Sequence, residues 1–409
     1  MDLRSSPYSP GAGTRPAVFV GRGSILDRFD VALDRLEAGR SDDAPLITGA
    51  RGSGKTVLFN LMVERARERG WFVGAEEAIP GTQMSALIAL MARDVLLEMS
   101  TRHRFTDRVR RALGILKAFA SVSVAGLRLD INAEAVTGTA DTGIIELDLR
   151  RLVLEIGEIA RLQGIGVLFA LDEVHIIPNE DLYALNAALH AAAQRALPVS
   201  FLGSGLFPSW QATGAEMADP TMVTSYISRA ETLSYERLEP LTAADSRRAL
   251  TEPAAGEGVR FSNEALAAAV DFCEGSPWLL QAVGAVAWGH APGSPIDQAT
   301  MGITLIDVQN RLNRMFFPRL LRSCSEPERR VLASVAAADG HRLHVESLYE
   351  LLPDVERPRH VIRRLANQNL IDLHYQHFPI EYGEFDISLA VPRLAAFCGP
   401  AGPPSTHPR

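Results

Sequence analysis

The sequence is poor in cysteine, nearly devoid of lysine, and without a long apolar run. Its three cysteines, Cys273, Cys324 and Cys398, are scattered over 409 residues. So sparse and odd a set builds neither a disulfide framework nor a CxxC metal site. The longest strongly apolar stretches, such as Ile165–Leu171, fall far short of the ~20 residues that cross a bilayer. The opening residues, MDLRSSPYSPGAGTRP, hold no apolar run and do not read as a secretory leader. A cytoplasmic protein without a membrane partner is expected. Positive charge is short too: 41 Lys and Arg face 49 Asp and Glu, a net charge of −8. That balance excludes coating of nucleic acid by bulk charge and leaves only a local basic face for such a role. Apolar residues make up 47% of the chain, ample for a core. The length predicts two to four domains at about 100–200 residues each.

Of the two lysines, one stands in a motif. Gly49-Ala50-Arg51-Gly52-Ser53-Gly54-Lys55-Thr56 fits GxxxxGK[ST]. Glycines let backbone N–H groups curl round a polyphosphate, the lysine reaches the β- and γ-phosphates, and the Thr hydroxyl ligates Mg²⁺. The flanks agree. Pro45–Gly49 reads as a buried strand, and Thr56–Arg69 carries helical apolar spacing through Val57, Leu58, Leu61, Met62 and Ala66. Chance placement of such a motif is roughly one in a thousand at this composition. An arginine-rich chain that keeps lysine here needs a compact ammonium. Gly49 to Val57 are therefore candidate nucleotide contacts.

Gly166-Val-Leu-Phe-Ala-Leu-Asp172-Glu173 is an apolar run ending in two carboxylates. It reads as a buried parallel strand with Asp172 at its C-terminal end as a Mg²⁺ holder. Glu173 is placed to polarise an attacking water, which favours hydrolysis over binding alone. Asp-Glu-Val-His175 suggests a helicase string, but no Gln-x-x-Gly-Arg-x-Gly-Arg follows, so His175 reads as structural or gating. A kinase reading is set aside because Glu173 suits water better than an acceptor. Further strands are predicted at 71–76, 198–204 and 232–236, with a helix over 184–196, so a parallel sheet should present its ligand at strand C-termini. Ser204 sits at one such end. It has two readings, a γ-phosphate sensor or a turn serine.

These residues resemble the AAA+ ATPases, in particular bacterial and archaeal members similar to origin-recognition initiators and near the STAND switch ATPases. The resemblance covers most of 19–397. Phe19-Val20-Gly21-Arg22 resembles the family's FVGRE box, which holds adenine, with Gly23 in place of the usual Glu. By the same resemblance Gly49–Thr56 is Walker A, Asp172 and Glu173 are Walker B, and Ser204 takes the sensor 1 slot. Tyr226-Ile-Ser-Arg229 is similar to a segment whose arginine reaches a neighbouring subunit's γ-phosphate in oligomeric relatives; a surface arginine is the other reading. Gly275-Ser-Pro-Trp-Leu-Leu-Gln281 resembles the turn opening a lid helix, but Trp278 stands where many relatives carry a sensor 2 arginine. Trp278 has two readings, packing within the lid or lining the nucleotide pocket, and packing is the expectation.

The resemblance and the shifts in composition divide the chain. A disordered tail is expected over 1–16, an α/β nucleotide domain over 17–238, a helical lid over 239–323, a winged helix over 324–398 and a second tail over 399–409. Pro253–Ser262 should separate strand-bearing from helical sequence, and Thr242 with Asp245 opens a capping box. Lid helices are expected at 263–273, 278–290 and 303–321. Helices at 326–336, 345–352 and 358–369, then strands at 371–375 and 385–389, spell the winged helix. On its third helix Arg359, Arg363 and Asn367 share one face, a candidate for reading duplex DNA; a protein-docking or solvated face is the alternative. The run Arg102–Arg111 reads as a solvated helix face or a phosphate or partner surface. Alternation over 119–131 suggests a hairpin. The sequence thus predicts an ATPase using ATP and Mg²⁺, with DNA, a protein partner or copies of itself as its contacts.

Overall fold

The computed structural model describes residues 1–102, 107–123, 133–177, 179–206, 233–355, 358–375 and 385–399. Five parallel strands form the central sheet: β1 (Ala44–Gly49), β2 (Phe72–Glu77), β3 (Val167–Asp172), β4 (Val199–Ser204) and β5 (Leu233–Leu238). Their spatial order is β2-β3-β4-β1-β5. Period-two alternation sends β3 side chains to both faces, and both are covered. Val167, Phe169 and Leu171 pack under α3 (Met84–Arg102), α4 (Asp107–Ser123), α5 (Ile145–Gln163) and α6 (Asn179–Gln194). Leu168 and Ala170 pack under α1 (Gly23–Glu37) and α2 (Lys55–Glu68). The strands expected for this sheet are all present, each within one or two residues of its expected ends.

The hairpin expected from residue 119 is not formed over 119–123, which lie in α4. Val109, Ala112, Leu113, Leu116 and Phe119 are buried at helical spacing, and that burial outweighs the local alternation. Residues 124–132 lie outside the described set.

The lid holds α7 (Ala243–Gly256), α8 (Asn263–Cys273), α9 (Pro277–His290) and α10 (Gln298–Arg311). The Thr242 hydroxyl accepts the Asp245 N–H, as its capping signature predicts. The helix break expected at Pro253 comes later, because α7 runs on to Gly256 with the proline ring buried in the lid core. That burial offsets the missing N–H near the helix end. Asp297 caps α10 and starts it before the expected Ile303. A π-helical turn, Leu312–Phe316, then leads into α11 (Phe317–Leu320).

Beyond the lid come α12 (Glu326–Ala337), β6 (Arg342–His344), α13 (Ser347–Leu351), α14 (Pro358–Asn367), β7 (Ile371–Tyr375), β8 (Phe385–Leu389) and α15 (Leu394–Cys398). The three helices and hairpin are as expected. Strand β6 adds a third, antiparallel member to the hairpin through Leu343 and Ile387. Arg237 at the end of β5 pairs with Asp372 of β7 at 3.0 Å, tying the central sheet to this C-terminal unit.

Residues 1–16 are not a disordered tail. Tyr8 is 5% exposed, its hydroxyl donates to the Leu250 carbonyl, and its ring meets Trp288 edge-on. The Pro, Gly and Ser content reads as disorder, but one buried aromatic anchors the whole segment on the lid. Residues 400–409 lie outside the described set. No described helix is long and apolar enough to cross a membrane.

Candidate nucleotide site

The candidate site lies at the C-terminal ends of β1, β3 and β4. Strand β4 runs between the other two, pairing Ile47 of β1 with Ser204 and Leu171 of β3 with Gly203. That order sets Ser204 between the glycine loop and Asp172. The Ser204 hydroxyl is fully buried and donates to Asp172 Oδ1. The Glu173 N–H donates to the same oxygen at 2.9 Å. Asp172 is thereby held by two donors.

The glycine loop bends by backbone freedom. Gly52 has φ near 78°, and a Cβ there would press on Trp278. Gly54 caps α2, and Lys55 opens it. Lys55 is 8% exposed, and its Nζ donates to the Gly49 and Ala50 carbonyls at 3.0 Å each. Burial pushes the Lys55 ammonium down to about 8, against the pull of Glu173 and Asp172. Ser53 Oγ is buried and has no hydrogen-bond partner among the described residues.

Glu173 stands just beyond β3 with φ near 54°, a left-handed conformation uncommon for a residue with a side chain. Its Oε2 lies 3.1 Å from His175 Nδ1. The His175 ring holds the Glu173 carboxyl below its usual range, with Lys55 and Arg51 adding to the effect and burial opposing it. Sequence reasoning gave His175 a structural or gating role without linking it to Glu173; its two-residue spacing from Glu173 was the available signal.

A cavity of about 360 Å³ opens over this arrangement. Its lining combines Arg51 to Thr56 and Glu173 with the apolar Val18, Phe19, Val20, Leu241, Ala249, Trp278 and Phe316. Arg22 also lines it, buried, with its guanidinium donating to the Glu239 carbonyl. Val57 is a lining residue, whereas Gly21, Gly49, Ala50, Asp172 and Ser204 are not. Trp278 does not pack only within the lid. Its backbone N–H donates to the Gly52 carbonyl, and its ring stacks on Phe316 at 5.4 Å. The sequence missed the lining by Ser9, Gly11, Ala12, Gly13, Thr14 and Pro16. The Gly-x-Gly within that stretch was the only signal.

Away from the cavity, Arg359 and Asn367 are exposed on α14 and Arg363 is half-buried. Arg364 is exposed, yet its Nε pairs with the buried Glu328 at 3.2 Å. In the basic run, Arg110 and Arg111 lie near Asp107 and Glu155, an in-part neutralised face. Arg229 lies outside the described residues.

Comparison with known proteins follows this geometry. Residues 18–202 match the family model of the AAA ATPase domain. No curated protein sequence matches the chain. Among solved structures, the ORC2 protein of Aeropyrum pernix, described in ADPNP and ADP complexes, is similar at TM-score 0.54 and 16% identity. That similarity covers 95% of both chains. A Walker-type ATPase of Pyrococcus abyssi is similar at TM-score 0.54 and 15% identity, over 94% of this chain and 97% of that one. At such identity the likeness speaks for the fold alone. With their glycine loop and parallel strands, residues 18–202 thus carry an AAA ATPase domain.

Proposed function

We propose that the chain is an ATP-hydrolysing switch whose nucleotide state sets the position of its C-terminal unit. The mixed lining of the cavity carries this reading. Its glycine loop and charged residues suit a triphosphate and its apolar residues a base. Lys55 can exchange two backbone carbonyls for phosphate oxygens, and the unpartnered Ser53 hydroxyl fits a loop built to donate to an anion. Phe19 and Val20 flank the base, with Gly21 and Arg22 setting the backbone. Thr56 and Asp172 would hold Mg²⁺, which when bound neutralises charge on the β- and γ-phosphates. The carboxylate of Asp172 is fixed in advance by Ser204 and the Glu173 N–H. Glu173, kept ionised, takes the proton of the attacking water. Ser204 senses the γ-phosphate, and Arg229 of a neighbouring copy completes the site in a homo-oligomer.

Residues 326–389 we read as a winged helix. Its exposed Arg359 and Asn367, with Arg363 beside them, favour duplex DNA as the contact. The acidic net charge and the engagement of Arg364 by Glu328 favour, as the second reading, a protein-docking module.

Two measurements test this. Glu173→Gln should bind ATP as the parent does and release phosphate about 10²- to 10⁴-fold more slowly; unchanged turnover removes Glu173 as the base. A fluorescent duplex of about 30 base pairs should bind in a salt-sensitive, nucleotide-dependent way, lost in the Arg359→Ala/Arg363→Ala variant. No binding at low salt in any nucleotide state selects the protein-docking reading.

A further inference from the structure

We propose that residues 9–16 are a strap across the mouth of the nucleotide cavity, and that nucleotide leaves only when the strap lifts from the glycine-loop side. The proposal rests on the nucleotide reading of that cavity.

The strap is anchored at both ends, but unequally. On the lid side Tyr8 is buried, and its ring occupies the space left by the missing side chain of Gly284. The Ser9 N–H donates to Gln281 Oε1 at 3.0 Å, and the Trp278 indole N–H donates to the Pro10 carbonyl at 3.2 Å. On the core side Gly13 lies over Thr56, and Arg15 pairs with Glu64 of α2 at 2.8 Å. Both members of that pair are more than half exposed, 64% and 53%, so water competes for them. Between the anchors, Gly11 to Thr14 wall the cavity.

The chemistry of the span fits a strap. The Thr14 N–H donates to the Gly11 carbonyl, closing a tight turn. Gly13 has φ near 68°, and a Cβ there would sit 3.1 Å from the Thr56 methyl. Small residues let the backbone pass close over the loop that receives the phosphates. The buried anchor belongs to the lid and the exposed one to the core. When the cavity opens, the strap therefore stays with the lid, and the contacts of Gly13 and Arg15 are the ones that part.

The test uses the full-length chain and a fluorescent ATP analogue. Exit is followed by stopped-flow chase with unlabelled ATP. Arg15→Glu, which sets two carboxylates against each other, should speed exit roughly five- to ten-fold and leave the melting temperature unchanged. In the opposite direction, Arg15→Cys and Glu64→Cys are combined with Cys398→Ser and joined by a bis-maleimide after loading. The linked protein should hold the analogue through the chase, while the unlinked one releases it. Unaltered exit in both variants, with binding intact, overturns the strap alone. Failure of the parent chain to bind the analogue overturns the nucleotide reading and the strap with it.

Discussion

The two walls of the nucleotide cavity are built in opposite ways. In the glycine-loop wall, Lys55 bonds to carbonyls five and six residues earlier in the chain. In the opposite wall, Tyr8 meets Leu250 across 242 residues, Trp278 meets Pro10 across 268, and Ser9 meets Gln281 across 272. A motif that closes on itself carries its conformation in its own letters. A wall assembled from distant segments has no local signature. The first wall should therefore govern affinity and the second should govern stability and exchange.

The largest effect that could break this division is on affinity. Lys55→Ala should weaken ATP binding about a thousand-fold, since it removes the buried partner of the phosphates; titration calorimetry that still finds micromolar binding contradicts it. The same variant should melt no earlier than the parent, because burial disfavours the charged lysine. Next in size, Tyr8→Ala should lose about 3 kcal/mol of unfolding free energy in denaturant melts. A loss as small as that of a surface change would mean that the second wall is not structural.

A third expectation concerns pH. With its pKa near 8, Lys55 sheds its proton above pH 8 in the free protein. ATP affinity should therefore decline from pH 7 to 9, and binding near pH 8–9 should take up a proton, visible as buffer-dependent heats. The unfolded lysine keeps its proton to about 10.4. This group accordingly lowers stability by a constant amount below pH 8, and the deficit fades as pH rises from there toward about 10.4. Affinity and stability should thus move in opposite directions through this group. The smallest effect is that of Arg237→Ala. Breaking its half-buried pair with Asp372 should change stability by no more than about 1 kcal/mol, yet hydrogen exchange in β7 should quicken.

The sequence made much of the first wall legible. The strands ending at Gly49, Asp172 and Ser204 are apolar runs of strand length, and the chemistry follows them directly. The apolar ring of Trp278 suits the lid core and the pocket alike, and its position depends on how α9 meets the loop. Residues 9–16 looked like a solvated tail because Pro, Gly and Ser mark both disorder and close-packed turns. Only Tyr8 distinguishes the two, and only once Leu250 and Trp288 are beside it. The end of α4 was misread for a related reason. A few alternating valines and leucines carry less weight than an apolar face repeated along the whole helix.

The hydrophobic core of the lid does not stop at its last helix. It runs from Tyr8 and Leu250 through Phe317 to Val331, Ile362 and Leu394, a single body of buried side chains. The central sheet has separate cores of its own on its two faces. Lid and C-terminal unit should therefore melt as one cooperative block, and calorimetry should resolve two heat-absorption peaks where the sequence counts three folded domains. A block of that kind also turns as a rigid lever. Any rotation of α9 against the glycine loop should be carried, undamped by an internal hinge, to the far end of α14.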